Sequence, residues 1–162
     1  MQKKKDGQLQ LSFGMIFSII IIIATIMVAF YFIQKILAAQ ECTKIELFKS
    51  DMQDSIEKMW RSPFGSEKFI STLPAGIKKV CVGSVTLAPA MYSKVVEAVD
   101  PYLDPDENLM FYPPKEACSG RFAATKLMHI KDDSFICADA VKGKVSFTLL
   151  KGKAENLVLV QK

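Results

Sequence analysis

The 162-residue chain predicts an α+β protein: a long N-terminal helix packed on a C-terminal antiparallel β-sheet head, with one short extra helix. Three observations predict it. Leu11 to Ile33, LSFGMIFSIIIIIATIMVAFYFI, contains no charged residue; helical periodicity then runs on to Trp60; and from Glu67 the pattern becomes strand-like.

The apolar run is relieved only by Ser12, Gly14, Ser18 and Thr25. As a helix of roughly 23 residues it spans about 34 Å, which matches a ~30 Å hydrocarbon layer with slight tilt. A helix pairs every backbone amide within the segment, even across the β-branched run Ile19 to Ile23, so the stretch reads as a membrane helix. A buried core helix would need a larger protein wrapped around all its faces. A cleaved secretory peptide, with Leu37-Ala38-Ala39 as its cutting site, is disfavoured because such h-regions hold only ~7 to 15 residues.

Beyond Gln34-Lys35, apolar Ile45, Phe48, Met52, Ile56 and Met59 recur every three or four residues, and charged residues fill the other faces. No Pro or Gly lies between Met15 and Trp60, so one rod of roughly 50 residues and about 75 Å is expected. Arg61-Ser62-Pro63 ends it, because the residue before a proline is driven out of the α region. The greasy stripe of the second half needs a cover, and the apolar strands that follow supply one. Residues 1–7 read as a basic leader or cytosolic tail and 8–61 as the long helix. Within it the membrane part lies at about 11–33 and the amphipathic part at about 38–60, with 62–162 as the β-rich head.

In the head, Phe69 to Leu73 and Ile77 to Val85 read as two strands joined by the turn Pro74-Ala75-Gly76. Pro89 opens a short helix with Met91, Val95 and Val99 on one face, stopped by Asp100-Pro101. Leu109 to Tyr112 is a brief strand. Thr125 to Ile130, Ser134 to Ala140, Val145 to Leu150 and Leu157 to Gln161 follow as a meander, with Val145, Phe147 and Leu149 on one face.

The formal charge is +4. Of the basic residues, Lys3, Lys4, Lys5 and Lys35 precede Ala38, as does Asp6 among the acidic ones, which leaves the remainder at +1. No concentrated basic face for nucleic acid is implied. The lysines before the apolar run place the N-terminus in the cytosol and the head outside. All four cysteines, Cys42, Cys81, Cys118 and Cys137, follow the run; their even number suits two disulfides in an oxidising space, with buried thiols as the alternative. Proximity favours Cys118 with Cys137, leaving Cys42 with Cys81; otherwise Cys42 is free or links two subunits.

Few residues suggest chemistry. His129 is the lone histidine, read as a strand residue satisfied by water or backbone. Asp104, Asp106 and Asn108 are spaced as a calcium loop begins, but Leu109 and Lys115 stand where the turn Gly and bidentate Glu belong, so the segment reads as a solvated acidic loop. Lys78-Lys79 and Lys151-Gly152-Lys153 read as charges that keep edges and turns soluble. With no nucleophile motif, metal set or cofactor loop, no cofactor is expected and an enzyme is not the favoured reading.

Lys3-Lys4-Lys5-Asp6-Gly7-Gln8, directly before the apolar run, resembles the start of archaeal type IV pilin-like proteins, which carry a class III signal peptide. The resemblance covers about 30 residues. It implies removal of the leader by a prepilin-type membrane peptidase between Gly7 and Gln8, and a structural subunit or pseudopilin that self-associates through its N-terminal helix. Ser12 stands where the family often has Glu. The partners so implied are the lipid bilayer, that peptidase and copies of the chain. The alternative is an uncleaved, single-pass, signal-anchored ectodomain that binds an envelope component through a sheet edge.

Overall fold

The computed structural model describes residues 13–162. Helix α1 spans Phe13–Arg61 without a break. Its end falls where Pro63 demands, and the Ser62 hydroxyl donates to the Lys58 carbonyl at 3.0 Å, occupying one acceptor of the last turn. Residues from Ala38 onward form one compact unit with everything that follows.

That unit holds seven strands in two antiparallel sheets. Strands β1 (Gly65–Thr72), β6 (Lys144–Lys151) and β7 (Leu159–Gln161) form one, in the order β1-β6-β7. The other runs β4-β3-β2-β5, built from β2 (Lys79–Gly83), β3 (Leu109–Tyr112), β4 (Ala124–Thr125) and β5 (Phe135–Asp139). Short helix α2 (Ser93–Val99) lies in the β2–β3 connection.

The expected stripe of α1 is the seam of the core. Ile45, Phe48, Met52, Ile56 and Met59 are buried. Phe48, 1% exposed, meets Phe69 of β1 and Phe111 of β3 edge-to-face, each at 5.5 Å between ring centroids. A single helical side chain therefore joins the two sheets, in the ring geometry the aromatic quadrupole favours. Val145, Phe147 and Leu149 of β6 share this core, as their alternation requires. The second sheet is buried on both faces. Val80, Val82, Leu109 and Phe111 face the main core, while Cys81, Met110, Phe135 and Cys137 join Val95 and Val99 of α2 in a smaller cluster.

Several expected pairings differ. The two strands flanking Pro74-Ala75-Gly76 do not form a hairpin: β1 pairs with β6 and β2 with β3 and β5. The backbone between them crosses from one sheet to the other, so a short turn here does not mean neighbouring strands. The C-terminal meander is likewise divided. Val141 and Lys144 close a tight turn, with positive φ at Lys142 (51°) and Gly143 (71°), yet β5 goes to one sheet and β6 to the other. Only β6 and β7 pair as expected. From Thr125 to Ile130 just Thr125 lies in a strand; Ile130 makes an isolated parallel bridge to Val158. Met91, expected to share a face with Val95 and Val99, is 78% exposed while those two are buried, because a 3-10 turn over Ala90–Tyr92 precedes α2 and shifts the helical phase.

The cysteines form two disulfides, but not in the pairing that proximity suggested. Cys81 and Cys137 sit opposite each other in the β2–β5 register, with Cα atoms 4.0 Å apart. Directly opposed antiparallel residues bring their side chains within bonding reach. Cys42 of α1 bonds Cys118, in the loop after β3, across a Cα separation of 4.9 Å. Strand registry, which brings together residues 56 apart in sequence, overrides loop length.

Candidate membrane anchor and head surfaces

Between Met15 and Leu37 the large apolar side chains of α1 are 44–64% exposed on every face. Among the described residues this is the one helix long and apolar enough to cross a membrane. The Ser and Thr hydroxyls of this stretch are satisfied within the helix: Ser18 donates to the Gly14 carbonyl and Thr25 to the Ile22 carbonyl, both at 2.8 Å. Neither of these hydroxyl hydrogens need therefore be buried unpaired in hydrocarbon. Lys35, the first charge after the run, lies 5.6 Å from the centroid of the Tyr31 ring. A long aliphatic stem beside an amphipathic ring suits the water boundary of a bilayer. Small Ala24, Thr25 and Ala29, with Ile21 and Val28, line a shallow apolar hollow on one side. The proposed cleavage residues Gly7 and Gln8 lie outside the described residues.

The acidic segment after α2 does structural work. Asn108, 4% exposed, accepts from the Leu127 N–H at 2.6 Å through Oδ1, and its Nδ2 donates to the Leu127 carbonyl at 3.1 Å and to Asp132 at 3.2 Å. Its own backbone donates to Thr125 and accepts from Gly83. The side chain thus extends the β3–β4 ladder where backbone pairing stops, which uses the donors and acceptor an amide offers. Asp106 pairs with Lys126 at 2.8 Å; that hydrogen bond and the lysine's charge hold the Asp106 carboxyl below its ordinary range. Glu107 accepts from the Asp104 N–H at 2.9 Å. These oxygens are spent on protein partners and do not converge as a calcium loop requires. No group of three His, Cys, Asp or Glu among the described residues could hold a metal ion.

His129 is not a strand residue. Its φ is +64° and its ring stacks on Trp60, centroids 3.9 Å apart and planes 13° from parallel. Next to it the Met128 N–H donates to Gln53 Oε1 at 2.9 Å, and Lys151 donates to the Trp60 carbonyl. The last turns of α1 are thereby clasped by the 127–130 loop and by β6. Sequence reasoning missed this clasp: Gln53 and Trp60 lie seven residues apart, on one helical face, which was the available signal.

Edge strands form a further surface. Ser134 and Ile136 beside β5 and Leu159 to Lys162 along β7 line a groove between the two sheets. At its rim Asp139 accepts from Lys79 and from Lys162, the latter at 3.0 Å. The Lys79 hydrogen bond and then that of Lys162 hold the Asp139 carboxyl below its ordinary value. Lys131 is pushed upward by Asp133 at 2.7 Å and, less strongly, by Glu155. No family profile, curated protein or solved structure matches the chain.

Proposed function

We propose that this chain is a membrane-anchored, pilin-like structural subunit or pseudopilin whose disulfide-braced head stands outside the cytoplasm. One observation carries the reading. A single α-helix changes character along its length, apolar all round up to Leu37 and then buried along one stripe by two sheets. A soluble protein would gain by covering the first part, whereas lipid or neighbouring helices cover it in a membrane. Ala24, Thr25 and Ala29 let a second helix approach closely, which in lipid is the main source of helix association. The two disulfides suit an oxidising compartment.

The test is the processed N-terminus of protein recovered from washed membranes, with electron microscopy of the same preparation. Gln8 as first residue, with filaments or short assemblies, supports the subunit reading. Intact Met1 on a monomer refutes it and favours the second reading, a signal-anchored binding module. That reading has its own support in the groove between the β5 and β7 edges, where an extended peptide finds unpaired backbone on both walls.

A further inference from the structure

The head is electrically lopsided, and the lopsidedness follows the chain's direction. At the end of the compact unit that holds Cys42, the loop after β3 meets α1, and the end of β1, the start of β2, the ends of β3 and β5 and the start of β6 are joined to that loop and to one another. The contacts that gather them are short: Leu73 N–H to the Gly143 carbonyl at 2.8 Å, Lys78 N–H to Tyr112 at 2.7 Å, and Ala140 N–H to Lys78 at 2.8 Å. The Cys42–Cys118 disulfide fastens the loop holding Lys115 to the same end. These segments, with the last residue of the chain held to Asp139, carry Lys78, Lys79, Lys115, Lys142, Lys144 and Lys162 against Glu41, Glu116 and Asp139. Lys79 and Lys162 share Asp139. Lys78, Lys115, Lys142 and Lys144 are exposed and have no ion-pair partner among the described residues.

At the other end of the β2–β3–β5 sheet the loops carry Asp104, Asp106, Glu107, Asp132 and Asp133 against Lys126 and Lys131. The net charge of +1 beyond Leu37 therefore conceals two opposite ends. The lysine-rich end also bears Val141, 66% exposed beside Lys142 on a turn closed by paired backbone hydrogen bonds with Lys144.

We infer that this end of the head is a docking surface for anionic lipid headgroups: Lys78, Lys115, Lys142 and Lys144 meet the phosphates and Val141 enters the interfacial layer. The inference rests on the membrane-anchored reading above. Residue 38 follows directly on the apolar run, so the end of the head that holds Cys42 is the one covalently joined to the membrane segment. Lysines close to an anionic leaflet are attracted over about one Debye length, and an aliphatic tip adds apolar burial. The acidic end would be repelled by the same surface, so the field also orients the head.

The test uses the full chain in lipid nanodiscs, of phosphatidylcholine alone or with a substantial fraction of phosphatidylglycerol. Lysines are acylated briefly and quantified by mass spectrometry. In the anionic discs Lys78, Lys115, Lys142 and Lys144 should label about fivefold more slowly than in the neutral discs, Lys126 and Lys153 should be unchanged, and about 1 M salt should erase the difference. The double substitution Lys142→Glu and Lys144→Glu should restore labelling of Lys78 and Lys115. Equal labelling in both discs, or slowing unaffected by the double substitution, overturns the headgroup contact while leaving the anchor intact. A chain that enters neither kind of disc overturns the anchor, and the contact falls with it.

Discussion

Replacing both Cys42 and Cys118 by serine tests how α1 is held to the head. The bond joins residues 76 apart in sequence; closing a loop of that length removes chain entropy from the unfolded head worth about 4 kcal/mol. Cys42 and Cys118 are only partly buried, so the substitution removes the constraint without opening a core cavity. The same change at Cys81 and Cys137, which are 0% and 1% exposed, would mix entropy with packing. Urea unfolding of the full chain in detergent suits the question, because the micelle keeps the apolar helix folded while the head unfolds. The single tryptophan, Trp60, stacks on His129 and reports loss of the clasp between helix and head. With a urea slope of roughly 2 kcal/mol per molar, the midpoint should fall by about 2 M. Peptide mapping of the unreduced parent should recover Cys42 joined to Cys118. A shift under about 0.5 M, with that link confirmed in the parent, would refute the entropy argument, and a Cys42–Cys81 peptide would refute the geometry.

Asn108→Ala strands the Leu127 N–H and carbonyl in a buried site, and should cost about 2 to 4 kcal/mol in the same urea assay; a loss below about 1 kcal/mol would mean that water replaces the amide. Gly83 has φ +115°, and an added Cβ would lie 1.8 Å from the Ser134 carbonyl oxygen. Gly83→Ala should therefore destabilise by on the order of 3 kcal/mol, read as a lower urea midpoint or loss of folded protein, and a midpoint equal to the parent's would contradict this backbone contact. Asp139, held below its ordinary value of 3.8 by Lys79 and Lys162, contributes stability that is complete above that value and lost as pH falls through the lowered one. The urea midpoint of the parent should drop through this acid window more steeply than that of Asp139→Asn, and parallel curves would show that the two lysines do not act on the fold through this carboxylate.

What could be read from the chain was local. The absence of charge from Leu11 to Ile33, the three-and-four spacing from Ile45 to Met59 and the stop before Pro63 each depend on neighbours within a few turns. Among the described residues they located the buried stripe of α1 and its end. Alternation in Val145, Phe147 and Leu149 showed which face of β6 is buried for the same reason. Nothing comparable lies between Thr72 and Lys79, or between Asp139 and Lys144, to reveal that the backbone changes sheets there. Which strands pair is settled by contacts across the whole head, with Phe48 wedged between Phe69 and Phe111 as their meeting point. Cysteine pairing follows that registry, so it was no more legible than the sheets.

The two candidate surfaces divide along the same line. The anchor is written in consecutive residues, because a membrane segment must satisfy its own backbone hydrogen bonds. The lysine-rich end is assembled from four separate segments, and a net charge summed along the chain cancels it against the acid loops at the other end. Asn108, whose spacing with two aspartates suggested an ion, became part of the β ladder once folding brought Leu127 beside it. Short-range rules decide what a segment is, and long-range packing decides what it touches.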